Sequence, residues 1–454
     1  MNNMERVHFG SKIGAVLAAA GSAVGLGNIW RFPYETGAHG GAAFILIYLV
    51  CVVALGIPVM IAEFSIGRHA KASTGSSFNA LAPGTPWKWV GYLGVLTGFL
   101  IFGYYTVVAG WTLEYVIEAG CNDFAGKTPE QFVAAFRSFS ADPVRPLAWL
   151  FVFMLMTHYV IVKGVQKGIE RFSKVLMPVL FILLIVLAVC AMMLPGSTVG
   201  LRFLFHPDFE KIDGAALLSA MGQTFFSLSL GMGCLSTYAS YFSKETKLLK
   251  TAVGVGFIDT LVAILAGMII FPAAISVGIR PDAGPSLIFI TLPNVFQQAF
   301  SGAPVVAYFF SLLFYVLLAL AALTSTISLH EVSTAFLFEQ FHFTRRRAAS
   351  LVTGFSLVIG MLASLSLGVL KTYTLFDKGV FDMLDYLTAK IMLPFGGLLV
   401  SLFVGWYWDR NISYDEVTNG GIIRKGVFNA YMFVIKYVAP LGIIFIFVNG
   451  LGLI

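Results

Sequence analysis

Five oxygen-bearing side chains sit where an apolar chain tolerates few: Asn28, Asp259, Thr324, Ser325 and Thr326. Each lies in, or at the edge of, a run long enough to cross a bilayer, where polar groups are costly and usually functional. They form a set of hard oxygen ligands without imidazole or thiolate, which suits Na⁺ and offers little to zinc or copper. The backbone is a second oxygen source. Residues 13–32 read IGAVLAAAGSAVGLGNIWRF, with Gly21, Gly25 and Gly27 crowding the middle and Ser22 beside them. Glycine weakens a helix by about 1 kcal/mol relative to alanine. Backbone freed from a helix within hydrocarbon must find other polar partners. The pattern predicts a broken helix whose carbonyls and amides face a ligand at membrane depth, as in secondary transporters. Taken singly, Thr324 and Ser325 read as hydroxyls bonded back to their own helix.

The sixth apolar run repeats the device. Ser227-Leu-Ser-Leu-Gly-Met-Gly233 mirrors Ser22-Ala-Val-Gly-Leu-Gly27, five spans earlier. Close helix packing through small residues accounts for one such cluster. Two in corresponding positions, with polar neighbours, point to a binding site between structural repeats.

These residues need helices to hold them. The 454 residues are 58% hydrophobic and 11% charged, against about 25% charged in a soluble chain. That composition specifies an all-α polytopic membrane protein. Apolar runs predict eleven spans, near 12–37, 42–69, 88–119, 146–163, 168–193, 214–242, 250–278, 304–338, 346–368, 380–406 and 427–452. Loops are predicted at 120–145, 194–213 and 279–303. The last carries SLIFITLPNVFQQAF, an apolar piece suited to a helix over an entrance. Basic residues collect in alternate loops, including Arg68 and Lys71, Lys163 to Lys174, Lys244 to Lys250, and Arg345 to Arg347. The positive-inside rule therefore predicts a cytoplasmic N-terminus and an external C-terminus, and the expected residence is the plasma membrane. Retained cytoplasmic Lys and Arg explain the net charge of +6 without nucleic acid. The N-terminus has no signal-peptide pattern. Cys51, Cys121, Cys190 and Cys234 show no zinc or redox spacing. An intramembrane hydrolase would need a nucleophile and base together. No G-x-S-x-G occurs and the histidines are scattered, so the chain is read as a transporter and not an enzyme.

The stretch from Gly21 to Pro33, GSAVGLGNIWRFP, resembles the neurotransmitter:sodium symporter family. Further matches are Gly40-Gly41, Gly168-Ile-Glu-Arg-Phe172, Gln223-Thr-Phe-Phe-Ser-Leu-Ser-Leu-Gly231, Thr237-Tyr-Ala-Ser-Tyr241 and Leu323-Thr-Ser-Thr326. The resemblance runs from Arg6 to the last span and is closest to bacterial eleven-span amino-acid members. It implies a LeuT-type fold: a 5+5 inverted repeat (12–193 and 214–406) with discontinuous helices 1 and 6, plus an eleventh helix at 427–452. The whole chain is then one transporter domain. The family's twelfth span is absent, and it lies outside the ten-helix core.

The resemblance also implies roles. One sodium site would use the Ala23 carbonyl, Asn28, Ser227 and Asp259, completed by the substrate carboxylate. A second would use the carbonyls of Gly21, Val24 and Ala321 and the hydroxyls of Thr324 and Ser325. The substrate carboxylate would meet the amides of Leu26 and Gly27 and the Tyr105 hydroxyl, where helix-dipole ends favour an anion. Its ammonium would meet Ser22, Ala23, Phe226, Ser227 and Ser229. Ile101, Tyr105, Phe226, Met232 and Leu329 would wall the pocket beside Ser325. Arg31 and Asp385 would gate the outside, with Tyr105 and Phe226 beneath. Arg6 and Glu339, supported by Ser240 and Tyr241, would gate the cytoplasmic side. Gly168 and Pro178 would mark local unwinding of the fifth span, with a simple proline kink as the alternative, and Glu63 would support both broken helices.

Two departures from the family pattern bear on mechanism. Asp259 stands where many relatives carry asparagine, and Ala263 stands where chloride-dependent relatives carry serine. They imply that Asp259 supplies the negative charge and that transport is chloride-independent. Glycine at position 25, where monoamine transporters carry aspartate, leaves room for an amino-acid carboxylate. The expected activity is sodium-coupled symport of neutral hydrophobic L-amino acids, aromatic ones among the candidates, without an obligate protein partner. A sodium-independent exchanger of the same fold is the alternative, and it would lack Asn28, Thr324 and Ser325 as a set.

Overall fold

The computed structural model describes residues 8–211, 213–279 and 286–451. Helices dominate, and no strand occurs among the described residues. In chain order they are α1 (Lys12–Ala23), α2 (Gly27–Ala38), α3 (Ala42–Ala70), α4 (Thr74–Leu81), α5 (Lys88–Gly120), α6 (Pro129–Ala141), α7 (Arg145–Val162), α8 (Val165–Met192) and α9 (Ser197–Phe205). There follow α10 (Gly214–Ser227), α11 (Cys234–Ala239), α12 (Leu248–Ser276), α13 (Leu292–Ala299), α14 (Pro304–Gln340), α15 (Arg345–Leu365), α16 (Val380–Tyr407), α17 (Arg410–Thr418) and α18 (Lys425–Gly450). Among the described residues, nine helices are long and apolar enough to cross a bilayer: α3, α5, α7, α8, α12, α14, α15, α16 and α18. α1 and α2 pass the same test together, bent by 54°.

The bend falls at Val24–Leu26, where the glycine pattern predicts it. α1 starts cleanly, because the Ser11 hydroxyl accepts the Gly14 N–H. It ends at Val24 in extended backbone. The sixth apolar run is also broken, between Ser227 and Cys234. Ser229, Gly231 and Gly233 there adopt positive φ of 55°, 81° and 78°, the left-handed region that glycine enters without penalty and serine does not. Glu63 of α3 braces this turn: its Oε1 accepts the Gly231 N–H at 2.7 Å.

α5 and α14 are the longest helices and pack along one another through the centre. α1 lies against α8, α12 and α14, so the first break sits in the protein interior. α13 does form within the 279–303 loop and packs on α12 and α14. Tyr115 and Tyr315 pin the turn before it through the carbonyls of Phe289 and Ile288.

Several expectations need correction. The loops at 120–145 and 194–213 contain helices α6 and α9. α6 is started by a reciprocal capping box, Thr128 with Gln131. The sixth run stays helical only to Ala239, short of 242. The fifth span is not unwound: a π turn at Val165–Glu170 leads into a helix that continues through Pro178. Proline removes one backbone donor, and here the remaining bonds keep the helix wound.

Glu63→Ala would strand the Gly231 N–H in a dry interior. It is expected to cost about 1–3 kcal/mol, read as a lower thermal midpoint of the purified protein, with Glu63→Gln, which keeps an acceptor oxygen, recovering most of the loss.

Candidate functional site

Several peptide groups freed at the two breaks meet specific partners. The Gly25 N–H donates to Asn28 Oδ1 at 3.0 Å. The Leu26 N–H donates to the Tyr105 hydroxyl at 3.1 Å. Ser229 Oγ donates to the Ser22 carbonyl at 2.8 Å, joining the two breaks directly. The Gly27 amide begins α2, the positive end of a helix dipole.

Two oxygen clusters flank this junction. In the first, Asp259 of α12 is fully buried. Its Oδ1 accepts Asn28 Nδ2 at 2.7 Å and Ser227 Oγ at 2.9 Å, and its Oδ2 accepts the Tyr48 hydroxyl at 2.9 Å. All of these donors are neutral. A buried carboxylate costs several kcal/mol unless an opposite charge compensates it, so the cluster suits a cation. In the second cluster, Thr324 Oγ1 reaches the Val24 carbonyl at 3.2 Å and the Ala321 carbonyl at 2.8 Å. Ser325 Oγ reaches the same Val24 carbonyl at 3.2 Å. Gly21 packs on Thr324, where a Cβ would lie 3.5 Å from the Thr324 side chain. Hydroxyls and carbonyls thus converge from α1 and α14, with no His, Cys, Asp or Glu cluster of metal-binding type among the described residues.

Between the clusters lies a narrow cavity of about 50 Å³. Ser22, Ala23, Gly27, Ile101, Tyr105, Phe226, Ser227, Ser229, Met232, Ser325 and Leu329 line it. Leu26 contributes its amide, and its side chain points into the core. Gly25 and Asn28 also line the cavity. A Cβ on Gly25 would collide with Ser325 Oγ and lie 3.2 Å from the Tyr105 hydroxyl. Tyr104 and Ser328 line it too, and sequence reading missed them. Ser328 lies one helical turn beyond Ser325, a spacing that could have found it.

Phe226 separates this cavity from a wider vestibule, which Arg31, Glu35, His39, Ser219 and Lys390 also line. The Arg31 guanidinium sits 4.6 Å from the Phe226 ring centroid. Arg31 and Asp385 do not form the expected ion pair. Arg31 approaches Glu35 at 3.8 Å, one turn along its own helix. Asp385 instead accepts the Tyr104 hydroxyl at 3.1 Å. On the opposite side, Glu339 accepts the Ser73 N–H at 2.7 Å, and Ser240 donates to the Thr237 carbonyl. Tyr241 donates to Glu331 at 2.7 Å, and Glu331 also takes two bonds from Arg345. That Tyr241–Glu331–Arg345 cluster is a feature the sequence reading did not assemble. Arg6 lies outside the described residues. His158 and His330 meet across the Thr353 hydroxyl, at 2.9 and 2.8 Å, away from the cavity.

Comparison with known proteins identifies the family. The family model "Sodium:neurotransmitter symporter family" matches residues 6–130 and 132–453. The chain belongs to this family. It is a transporter and not an enzyme. Among relatives of the symporter, the uncharacterized sodium-dependent transporter YhdH of Bacillus subtilis is 37% identical, covering 100% of both chains. The human sodium- and chloride-dependent GABA transporter 2 is 26% identical, over 91% of this chain and 75% of its own. A crystal structure of MhsT in complex with L-phenylalanine superposes with a TM-score of 0.88 at 41% identity, covering 98% of this chain and 100% of MhsT. The symporter therefore has the LeuT-type fold.

Tyr48→Phe removes one of the neutral donors to the Asp259 carboxylate. It is expected to destabilise the symporter by about 1–3 kcal/mol, measured by thermal denaturation without added ligand.

Proposed function

We propose that the protein imports neutral hydrophobic L-amino acids, aromatic ones included, by sodium-coupled alternating access through two sodium sites, without chloride. The observation that carries this reading is the Asp259 carboxylate, buried among neutral donors beside the first break. Sodium there would be held by Asp259, Ser227, Asn28 and the Ala23 carbonyl. Asn28 Nδ2 now faces Asp259, so ion binding turns that amide to present its oxygen. The substrate carboxylate completes the shell, which makes ion and amino acid bind together. The second ion takes Thr324, Ser325 and the carbonyls of Gly21, Val24 and Ala321, and it draws α1 onto α14.

The cavity supports a zwitterion with an apolar side chain. Amides of Leu26 and Gly27 and the Tyr105 hydroxyl suit the carboxylate, and Ser22, Ala23, Phe226, Ser227 and Ser229 suit the ammonium. Ile101, Phe226, Met232 and Leu329 form an apolar wall, and methionine adapts to several shapes. L-Phenylalanine bound to MhsT supports the same class of ligand. A ligand shifts a conformational equilibrium only through different affinities for its states. Sodium would favour the outward-open form, and sodium with substrate would permit occlusion and inward opening. The fixed charge of Asp259 would do the work of an anion, with residence in the plasma membrane, a cytoplasmic N-terminus and eleven spans.

In proteoliposomes, uptake of labelled phenylalanine or leucine is expected to collapse when choline replaces external sodium. Sodium-independent uptake would favour the exchanger reading. Uptake is expected to persist when gluconate replaces chloride, and loss would refute the role given to Asp259. Asp259→Asn is expected to lower sodium-driven uptake by about tenfold or more, equal to about 1.4 kcal/mol, with no rescue by chloride.

A further inference from the structure

α7 turns one apolar face into a groove on the outside of the helix bundle. Val152, Leu155, Met156, Tyr159 and Val160 follow i, i+3, i+4, i+7, i+8 spacing and line a single space of about 410 Å³. α7 meets α8 at its first turn, Val165–Glu170, where a Cβ on Gly168 would collide with the Val160 carbonyl. Past that close approach, Phe172 of α8 forms the second wall and Leu323 of α14 the floor. Leu155 and Tyr159 are exposed on this membrane-spanning helix, so lipid is the solvent of the groove. From Val152 to Tyr159 it follows α7 for about 10 Å, at about 1.5 Å per residue. One leaflet holds about 15 Å of hydrocarbon.

One end of the groove is basic. The Lys163 ammonium stands 4.9 Å from the Tyr159 ring centroid, and that ring meets Phe172 edge-on at 6.5 Å. Lys167 and Arg171 are exposed on the next turns, each one residue before Gly168 and Phe172. Glu170 is the single acidic residue between Pro146 and Pro207 in the sequence. Its carboxylate is already taken up by Lys174, Ser11 and the Gly10 amide. Arg345 reaches the same end through the Ile161 carbonyl, and Glu331 balances its charge. Lys163, Lys167 and Arg171 thus present positive charge that no free carboxylate of α7 or α8 offsets.

We propose that this groove binds an anionic phospholipid, with an acyl chain lying along α7 against Leu323 and the phosphate headgroup held by Lys163, Lys167 and Arg171. The apolar walls accept any acyl chain, and the three cations at one end select a negative headgroup. Basic pockets between membrane helices recognise such headgroups by this chemistry. The long lysine and arginine stems let the charges stand at the interface while their methylenes cover apolar surface. Leu323 directly precedes Thr324, so the bound chain would pack behind the second oxygen cluster. The inference depends on the fold and not on the transported solute.

The test titrates the delipidated full chain in nonionic detergent with phosphatidylglycerol or phosphatidylcholine of identical acyl chains. Bound lipid is counted by native mass spectrometry, and a thermal midpoint without lipid checks the fold of each variant. The parent is expected to prefer phosphatidylglycerol by about tenfold or more, less at high salt. Lys163→Gln is expected to lower that preference about fivefold, the scale of one basic residue at a membrane surface. Lys163→Gln combined with Lys167→Gln and Arg171→Gln is expected to abolish it while phosphatidylcholine still binds. Met156→Trp, which fills the groove, is expected to weaken both lipids. Lys244→Gln with Lys247→Gln and Lys250→Gln removes the same charge from another loop and is expected to leave the preference intact. Equal binding of the two lipids by the parent, or a preference that survives the Lys163 triple variant, would overturn the proposal. So would an equal loss in the Lys244 triple variant, undiminished lipid binding by Met156→Trp, or displacement of phosphatidylglycerol by millimolar inorganic phosphate.

Discussion

Peptide groups inside hydrocarbon cannot go unpaired, and two helices here are interrupted in the protein interior. That constraint dictates most of what surrounds the breaks. Asn28 bends back to the Gly25 amide, Tyr105 crosses from α5 to cap Leu26, and Glu63 reaches from α3 to hold Gly231. Ser229 closes on the Ser22 carbonyl and couples one interruption to the other. What remains at the junction is a cavity edged by carbonyls and hydroxyls, with the Asp259 carboxylate buried behind Asn28 and Ser227, a donor set that suits the proposed alkali ion and amino acid.

Ser325 shows how tightly the parts are shared. Its hydroxyl touches the Val24 carbonyl and borders the central cavity, and it fills the space that any side chain at position 25 would need. An ion held at Thr324 and Ser325 and a ligand beside Gly25 would therefore act on the same few atoms. Two distinct binding events joined through so short a path need no long-range relay to influence each other.

The fold class and most cavity residues were legible because they are written locally. Glycine clusters inside apolar runs mark the breaks, and family motifs carry Asn28, Ser227, Asp259, Thr324 and Ser325. What escaped depends on rotamers and on chain segments far apart in sequence. Arg31 can turn toward Glu35 or Asp385, and nothing in the order of residues says which it faces. Glu331 finds Tyr241 and Arg345 from separate helices. Pro178 reads as a breaker, yet neighbouring bonds keep α8 wound through it. Tyr104 and Ser328 lie beside recognised residues but belong to no motif quoted for the family.

A carboxylate built into α12 cannot depart with the cargo. On the proposed reading, each sodium ion crosses with its charge uncancelled by any mobile counter-ion, while the amino acid travels as a neutral zwitterion. Import then becomes electrogenic, and moving one charge through the bilayer field is worth about 2.3 kcal/mol per 100 mV. The organism's membrane voltage, as well as its sodium gradient, would set how steeply the amino acid can be concentrated.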